Sequence, residues 1–233
     1  MFGMKFKIRD FVYMFLAGLF VMFVFGIVAY STSSEKIVID EHHKEAQKVL
    51  DPIDGDFTIG DKDALVQVVF YGDFSCHHCM RFIHENFEKL RDNYIFAGKV
   101  QFIFRPVITL KRSLYGSKFL FCDKRSDEDN ADIFYGMFEN KWMMKQDYLN
   151  GLLTLATKKN WTTTEHFQQC VSSKQMEKNL HKLYKETVEK LQIHSTPHVF
   201  INYKPTNADK SIFDYIDKEY NYLKKRQSQR EIG

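Results

Sequence analysis

The stretch FYGDFSCHHCMRF (residues 70–82) contains a C-x-x-C pair whose two intervening residues are both histidine. Three chemistries use this spacing: a redox-active disulfide, half of a zinc site, or the attachment of a haem group. Haem attachment requires a histidine directly after the second cysteine, and Met80 occupies that position. The rest of the chain must therefore decide between a redox pair and zinc.

The residues around the motif place Cys76 between a strand and a helix. Residues 64–71 (ALVQVVFY) form an apolar run of strand length, which is typical of a central strand buried on both faces. After the motif, apolar side chains recur at helical spacing at Met80, Ile83, Phe87 and Leu90. Cys76 is thus predicted at a helix N-terminus, where backbone N–H groups and the helix dipole stabilise a thiolate.

This placement predicts different roles for the two cysteines. Cys76 is expected to be the exposed nucleophile that forms a mixed disulfide, and Cys79, one turn later, the inward-facing resolving thiol. His77 and His78 are expected to stabilise the Cys76 thiolate. A more stable thiolate favours the reduced form, so the pair is predicted to donate disulfides.

Two further carboxylates and one alternative metal site bear on the motif. Asp73 and Asp56 are candidates for tuning the deprotonation of the second cysteine. A structural zinc needs four ligands, and the other two cysteines, Cys122 and Cys170, lack the usual ligand spacing. A purely structural bridge within the motif would close a very short loop and would constrain the unfolded chain little. Redox activity is therefore the favoured interpretation.

Residues 11–30 (FVYMFLAGLFVMFVFGIVAY) contain no charged side chain. At about 1.5 Å per residue, a helix of this length spans roughly 30 Å, the hydrocarbon thickness of a bilayer. The basic stub before it predicts that the N-terminus stays in the cytoplasm and that the rest is exported. The alternative is a cleaved signal peptide, for which Ala29-Tyr30-Ser31 offers a weak cleavage site.

The four cysteines suit an exported protein, because that compartment is oxidising. Cys76 and Cys79 are close enough in sequence to pair with each other, which leaves Cys122 with Cys170. The latter two lie in helix-like segments, and a structural disulfide is predicted between them, with two buried free thiols as the alternative. The formal net charge of +3 shows no strongly basic character, which argues against a nucleic-acid partner.

The predicted elements divide the chain into segments. Strands are predicted at 56–60, 64–71 and 99–107, and a later strand and helix at 198–202 and 212–223. Between them, residues 109–192 have the pattern of consecutive helices, including 110–122, 131–143 and 148–158, without a strand pattern. The outer segments are a stub and anchor at 1–30, a polar tether at 31–52 and a tail at 224–233.

The motif FYGDFSCHHC, the helical segment and STPHVFIN (residues 195–202) together resemble the DsbA-like thiol–disulfide oxidoreductases of the thioredoxin superfamily. The likeness is greatest to the alphaproteobacterial type with a second disulfide, and it covers roughly residues 53–223. It implies an α/β thioredoxin-like domain, formed by 53–108 and 193–223, with an all-helical insertion at 109–192. The long separation of the motif from the later strand fits such an insertion.

The resemblance also implies a substrate-binding site. Pro197 would be cis and packed against Cys76, and the backbone at Thr196 would pair with an extended substrate segment. His78 stands where strongly oxidising members also carry histidine, whereas His77 replaces a common proline. After the strand that ends near residue 202, the chain lacks the usual glycine-containing turn, so the last edge strand is expected to be short or missing.

These observations predict a membrane-anchored thiol–disulfide oxidoreductase of the bacterial inner membrane, with its catalytic domain in the periplasm. It would donate its disulfide to reduced, unfolded exported proteins and be reoxidised by a DsbB-like membrane partner. We expect a monomer that needs no metal or organic cofactor. The alternatives are a reductase or isomerase on the same fold, or a zinc-binding scaffold module at the membrane surface.

Overall fold

The computed structural model describes residues 47–139 and 147–231, together with Met22. Apart from Met22, the predicted span at 11–30 lies outside the described residues, as do residues 31–46 of the tether. Within the described ranges, no helix has the length and apolar character needed to cross a bilayer.

Five strands form one mixed sheet in the order β1-β3-β2-β4-β5. They are β1 Phe57–Ile59, β2 Val66–Gly72, β3 Val100–Pro106, β4 His198–Ile201 and β5 Lys204–Thr206. β2 and β3 pair in parallel, whereas β1, β4 and β5 join their neighbours antiparallel. Nearly every residue of β2 and β3 is buried, which explains why their sequences are apolar without alternation.

In the described ranges, seven helices of two turns or more accompany the sheet. They are α1 His77–Leu90, α2 Lys111–Leu120, α3 Asp127–Glu139, α4 Tyr148–Lys158, α5 Thr164–Ser172, α6 Lys174–Tyr184 and α7 Ile212–Glu231. Short π-helical turns follow α1 and α6, at Arg91–Ile95 and Lys185–Glu189. The five helices α2 to α6 lie between β3 and β4 in the chain, where the sequence predicts a helical segment.

Several helix boundaries differ from the sequence prediction. The patterns Thr162-x-x-Glu165 and Ser172-x-x-Gln175 predict capping boxes, but the N-caps are Thr163 and Ser173. Their hydroxyl oxygens accept hydrogen bonds from the backbone N–H three residues later, as N-cap residues do. The last helix also continues to Glu231, past the predicted end at residue 223 and into the predicted tail.

A cluster of phenylalanines joins the helical segment to one face of the sheet. Phe134 of α3 lies 5.0 Å from Phe87 of α1, 5.3 Å from Phe102 and 5.1 Å from Phe104 of β3, measured between ring centroids. All four side chains are buried, and each such burial stabilises the fold by about 1.5–3 kcal/mol. The helices between β3 and β4 therefore share the main hydrophobic core with the sheet.

The opposite face of the sheet contains a fully buried ion pair. Arg105 of β3 forms two hydrogen bonds to the Asp56 carboxylate, of 2.7 and 2.8 Å. Its remaining N–H groups donate to the carbonyl oxygens of Val49 and Asp51 and to the Tyr71 hydroxyl. A buried guanidinium requires this complete pairing. Asp56 thus neutralises Arg105, and the prediction that it tunes the second cysteine is wrong.

The β4–β5 hairpin is short, as expected, and turns without glycine. Asn202 and Tyr203 adopt positive φ angles of 41° and 71°, and asparagine tolerates this conformation better than most residues. The Asn202 side chain accepts a hydrogen bond from the Gln67 N–H and donates one to the Leu65 carbonyl. These contacts tie the turn to the start of β2 and replace the glycine-containing turn.

Candidate active site

The C-x-x-C motif lies where β2 ends and α1 begins. β2 ends at Gly72, and Cys76 is the N-cap residue of α1 with an extended backbone. The connecting turn is closed by a hydrogen bond of 3.0 Å from the Cys76 N–H to the Asp73 carbonyl. The strand-to-helix placement of the motif predicted from the sequence is therefore confirmed.

A buried carboxylate supports this turn. Asp73 is 2% exposed, and its oxygens accept hydrogen bonds from the Ser75 N–H and hydroxyl and from the Ser113 hydroxyl, at 2.5–2.7 Å. The Thr109 hydroxyl and N–H donate to it as well. These donors satisfy the buried oxygens of the Asp73 side chain. Asp73 thereby holds the loop that presents the first cysteine.

Two partners of Asp73, Thr109 and Ser113, support the site through their hydrogen bonds and were missed by the sequence analysis. Thr109 and Ser113 follow the end of β3, which runs parallel to β2. The carboxyl ends of parallel strands meet at one edge of a sheet, which is where sites form. Hydroxyl residues just after the second strand of the βαβ unit were therefore the available signal.

Cys76 has the environment of a reactive thiolate. The pKa of its half-buried thiol is lowered from 9.0 to about 5. A hydrogen bond with the Cys79 thiol contributes most, and the Thr196 side chain and the backbone N–H groups of Cys79 and His78 also lower it against the cost of burial. At neutral pH Cys76 is consequently ionised.

Cys79 has the opposite environment. Its side chain is completely buried, and burial, together with the hydrogen bond to Cys76, raises its pKa above the usual range of a thiol. It therefore stays protonated at neutral pH and donates to the neighbouring thiolate. Two cysteines three positions apart thus differ in both exposure and charge, which is what a nucleophilic thiol and a resolving thiol require.

The sequence predicts that the two histidines of the motif stabilise the Cys76 thiolate. His77 and His78 are both exposed, and Arg81 Nη2 lies 3.1 Å from His78 Nδ1. The contribution of His78 to the lowered pKa of Cys76 comes from its backbone N–H rather than from its imidazole ring. The His78 contribution therefore comes from its place in the first turn of the helix, and it is smaller than that of the Cys79 thiol.

The segment before β4 returns to the cysteines. The Thr196–Pro197 peptide bond is cis, and the Thr196 carbonyl oxygen lies 3.4 Å from Cys76 Sγ. Next to them, a groove of about 370 Å³ has charged groups of both signs on its rim, including Arg81, Glu85 and Lys210. The structure thus brings together Cys76, Cys79, Thr196 and Pro197 at one edge of the sheet.

His198 begins β4 and is half-buried. Its ring centroid lies 5.0 Å from that of Phe200, and burial lowers its pKa. Burial thus favours the neutral ring, which packs against Phe200.

The second pair of cysteines forms a disulfide. Cys122, just after α2, bonds to Cys170 of α5, with the two Cα atoms 5.6 Å apart. His166 and Asp123 place ligand-type atoms within 4.8 Å of both sulfurs, and this is the one such group of metal-ligating side chains in the described part of the chain. Because the sulfurs are bonded to each other, the group is not a metal site in this oxidised form.

Comparisons with known proteins identify the family of the chain. A family model described as thioredoxin matches residues 53–217. A relative from Bacillus cereus named "Probable disulfide bond formation protein D" is 29% identical over 206 residues, covering 85% of this chain and 91% of its own. The "Disulfide bond formation protein D" of Bacillus subtilis is 27% identical and covers 71% of this chain and 73% of its own.

Solved structures share the fold. Wolbachia pipientis alpha-DsbA1 superposes with a TM-score of 0.69 at 24% identity, covering 78% of this chain and 99% of that one. Oxidised BdbD from Bacillus subtilis superposes with a TM-score of 0.65 at 24% identity, covering 73% and 95%. The family match, these folds and the C-x-x-C geometry agree with one another: the chain belongs to the thioredoxin family and is a DsbA-like thiol–disulfide oxidoreductase.

Proposed function

We propose that this protein donates the disulfide formed by Cys76 and Cys79 to reduced exported proteins during their oxidative folding. The observation that carries the proposal is the lowered pKa of Cys76 beside a buried, protonated Cys79. A stabilised thiolate makes the reduced form more stable, and a dithiol with a stable reduced form is a strong oxidant of other thiols. The direction of exchange follows from this difference.

The donation takes two steps. A substrate thiolate attacks Cys76 Sγ, the Cys76–Cys79 bond breaks, and Cys79 leaves with the electron pair and takes up a proton. A second thiolate of the same substrate then attacks the substrate sulfur that is bonded to Cys76. Cys76 leaves as the stabilised thiolate. The substrate loses two electrons and gains a disulfide, and the cysteine pair is reduced.

Substrate binding is proposed at Thr196 and Pro197. The Thr196 carbonyl already lies beside the reacting sulfur, and an extended peptide could pair with the backbone there as an added strand. The adjoining groove presents both acidic and basic side chains. Such a mixed rim suits a range of polypeptide substrates better than a single charged ligand.

The setting of this reaction is also proposed. Residues 11–30 would anchor the chain in the bacterial inner membrane, or act as a cleaved signal, with residues 53–223 in the periplasm. Within that part, 53–108 and 193–223 would form the thioredoxin-like domain and 109–192 its helical insertion. A DsbB-like membrane partner would reoxidise Cys76 and Cys79, and the protein would act as a monomer without a cofactor.

The reduction potential of the Cys76–Cys79 pair tests the direction of exchange. The full chain is equilibrated with glutathione buffers, and the state of each cysteine is read by alkylation and mass spectrometry. A potential near about −120 mV is expected for a dedicated oxidant, whereas a value near about −270 mV, that of thioredoxin, would indicate a reductase.

Two alternative functions have their own tests. An intermediate potential of about −180 mV would be compatible with an isomerase as well as an oxidase. A stable dimer in solution would favour the isomerase, since isomerases use a second subunit to build a cleft. For the zinc-scaffold alternative, metal analysis of the purified protein is decisive. Stoichiometric zinc that is lost when Cys76 and Cys79 are both replaced by serine would contradict the oxidoreductase.

A further inference from the structure

The Cys122–Cys170 disulfide is flanked by a histidine whose ring is held in place by a carboxylate. His166 and Cys170 are four positions apart on α5, so their side chains share one face of the helix. His166 Nε2 lies 3.6 Å from Cys170 Sγ, and 2.8 and 3.0 Å from the two oxygens of Asp123. One ring nitrogen thus faces both the carboxylate and the sulfur.

The carboxylate itself is held by a cation. Arg125 Nη2 lies 2.7 Å from Asp123 Oδ2, and its Nη1 donates to the carbonyl oxygen of Leu120 at the end of α2. Asp123 directly follows Cys122 in the chain. The His166 ring is therefore oriented by the side chain that follows Cys122, the other cysteine of the disulfide. Polar contacts run without a break from Arg125 through Asp123 and His166 to Cys170.

The two sulfurs differ in access. Cys170 is 1% exposed, whereas Cys122 is half-buried in the turn after α2. Because Cys122 is the more exposed residue of the two, an external thiolate would attack it in preference to Cys170, and Cys170 would then be the leaving sulfur. A disulfide sulfur is a weak hydrogen-bond acceptor, but a thiolate is a strong one. The Nε2–H group that faces Asp123 in the oxidised form can therefore turn to the Cys170 thiolate once it forms.

We propose that Cys122–Cys170 is a second thiol–disulfide exchange site, in which Cys122 receives the attack and His166, oriented by Asp123, stabilises the departing Cys170 thiolate. The co-reactant is a small monothiol. Its thiolate bonds to Cys122 Sγ, the Cys122–Cys170 bond breaks, and the electron pair stays on Cys170. A second monothiol attacks the small-molecule sulfur of the mixed disulfide, so that Cys122 leaves as a thiolate and the monothiol is oxidised to its disulfide.

The test follows the exchange at each cysteine separately. The native full chain is mixed with reduced glutathione at neutral pH, quenched with acid, alkylated and digested, and the four cysteine peptides are quantified by mass spectrometry. We expect glutathione adducts on Cys122 and none on Cys170. Because the Cys76 and Cys79 peptides are read in the same digest, failure of this site and failure of the proposed donor site give different results.

Two variants isolate the role of the histidine. His166→Gln keeps a side chain that can hydrogen-bond Asp123 but removes the imidazole, and it should slow adduct formation on Cys122 by about tenfold or more, the size expected for losing a hydrogen bond to a charged group. The control His181→Gln, at an exposed position of α6, should react like the natural protein. If His166→Gln does not fold, as judged by circular dichroism, Asp123→Asn should show the same slowing.

Three outcomes would overturn the proposal. In the first, the Cys122–Cys170 disulfide stays intact until denaturant is added. In the second, glutathione attaches to Cys170. In the third, His166→Gln and His181→Gln react with glutathione at equal rates. Any of these would mean that the bridge is only structural and that the neighbouring histidine does not assist its opening.

Discussion

The Sγ atom of Cys76 lies 3.4 Å from the carbonyl oxygen of Thr196, although the two residues are 120 positions apart in the chain. The contact joins the N-terminus of α1 to the start of β4, which pairs with β2. It places the nucleophile beside a stretch of backbone that a substrate can approach. The chemistry and the recognition of substrate are thus carried by different parts of the chain.

Replacement of each motif cysteine should separate their roles. Cys79→Ser leaves the Cys76 thiolate able to attack a disulfide in a model peptide but removes the thiol that resolves the product, so a stable mixed disulfide should accumulate. Cys76→Ser should form none, because Cys79 is buried and protonated. Non-reducing electrophoresis and mass spectrometry measure the adduct. Equal trapping by both variants would contradict the assigned roles.

The stability of the reduced form should depend on pH through Cys76. Folding lowers the pKa of this thiol from 9.0 to about 5, so ionisation stabilises the folded reduced protein fully above the unfolded pKa, and this contribution is lost as the pH falls through about 5. The raised pKa of Cys79 keeps it from titrating in that window. Reduced protein should therefore lose stability relative to oxidised protein as the pH is lowered from neutral.

Two measurements check this pH dependence. The ultraviolet absorbance of the thiolate should titrate with a midpoint near 5. Denaturant unfolding of both redox forms should show that the stability of the reduced form relative to the oxidised form decreases as the pH falls from neutral to about 5. Cys76→Ser serves as the control, since it has no thiolate to titrate. A midpoint near the ordinary value of 9.0 would show that neither the Cys79 thiol nor the backbone N–H groups of the first helical turn stabilise the thiolate.

Loss of the Asp73 carboxylate should destabilise the loop before Cys76. Asp73→Asn replaces one carboxylate oxygen with an NH₂ group, which cannot accept the hydrogen bonds of the surrounding donors. Each buried donor that is left unpaired costs about 1–3 kcal/mol. The free energy of unfolding, from urea denaturation, should fall by at least about 1 kcal/mol. Asp63→Asn, at an exposed position, should change it by less than about 0.5 kcal/mol.

Breaking the buried ion pair should have the largest effect on stability. Arg105→Met leaves the Asp56 carboxylate buried without its cation and with only the Ile53 N–H as a donor, which should lower the free energy of unfolding by about 3–5 kcal/mol. Arg105→Lys should not rescue it, because an ammonium group cannot replace the five directed donors of the guanidinium. The exposed pair Arg91–Asp92 is the matched control, and Arg91→Met should cost no more than about 1 kcal/mol.

Much of the fold is predictable because its signals are local. The apolar run of β2 and the helical spacing after Cys79 predict the strand–motif–helix unit, and the structure places β2 at Val66–Gly72 and α1 at His77–Leu90. Helix ends are less predictable, since neighbouring hydroxyl residues such as Thr162 and Thr163 are equally able to cap and only tertiary packing selects one.

The sequence by itself determined that Cys76 begins a helix after a buried strand, and hence that a thiolate is stabilised there, because helix periodicity and helix termini are properties of consecutive residues. Only the tertiary structure decided which distant groups complete the sites: Thr196 beside Cys76, Thr109 and Ser113 on Asp73, and Arg105 rather than the motif as the partner of Asp56. These contacts join residues that are 36 to 120 positions apart. Their partners are set by strand order and helix packing, and no local pattern encodes which side chains those bring together.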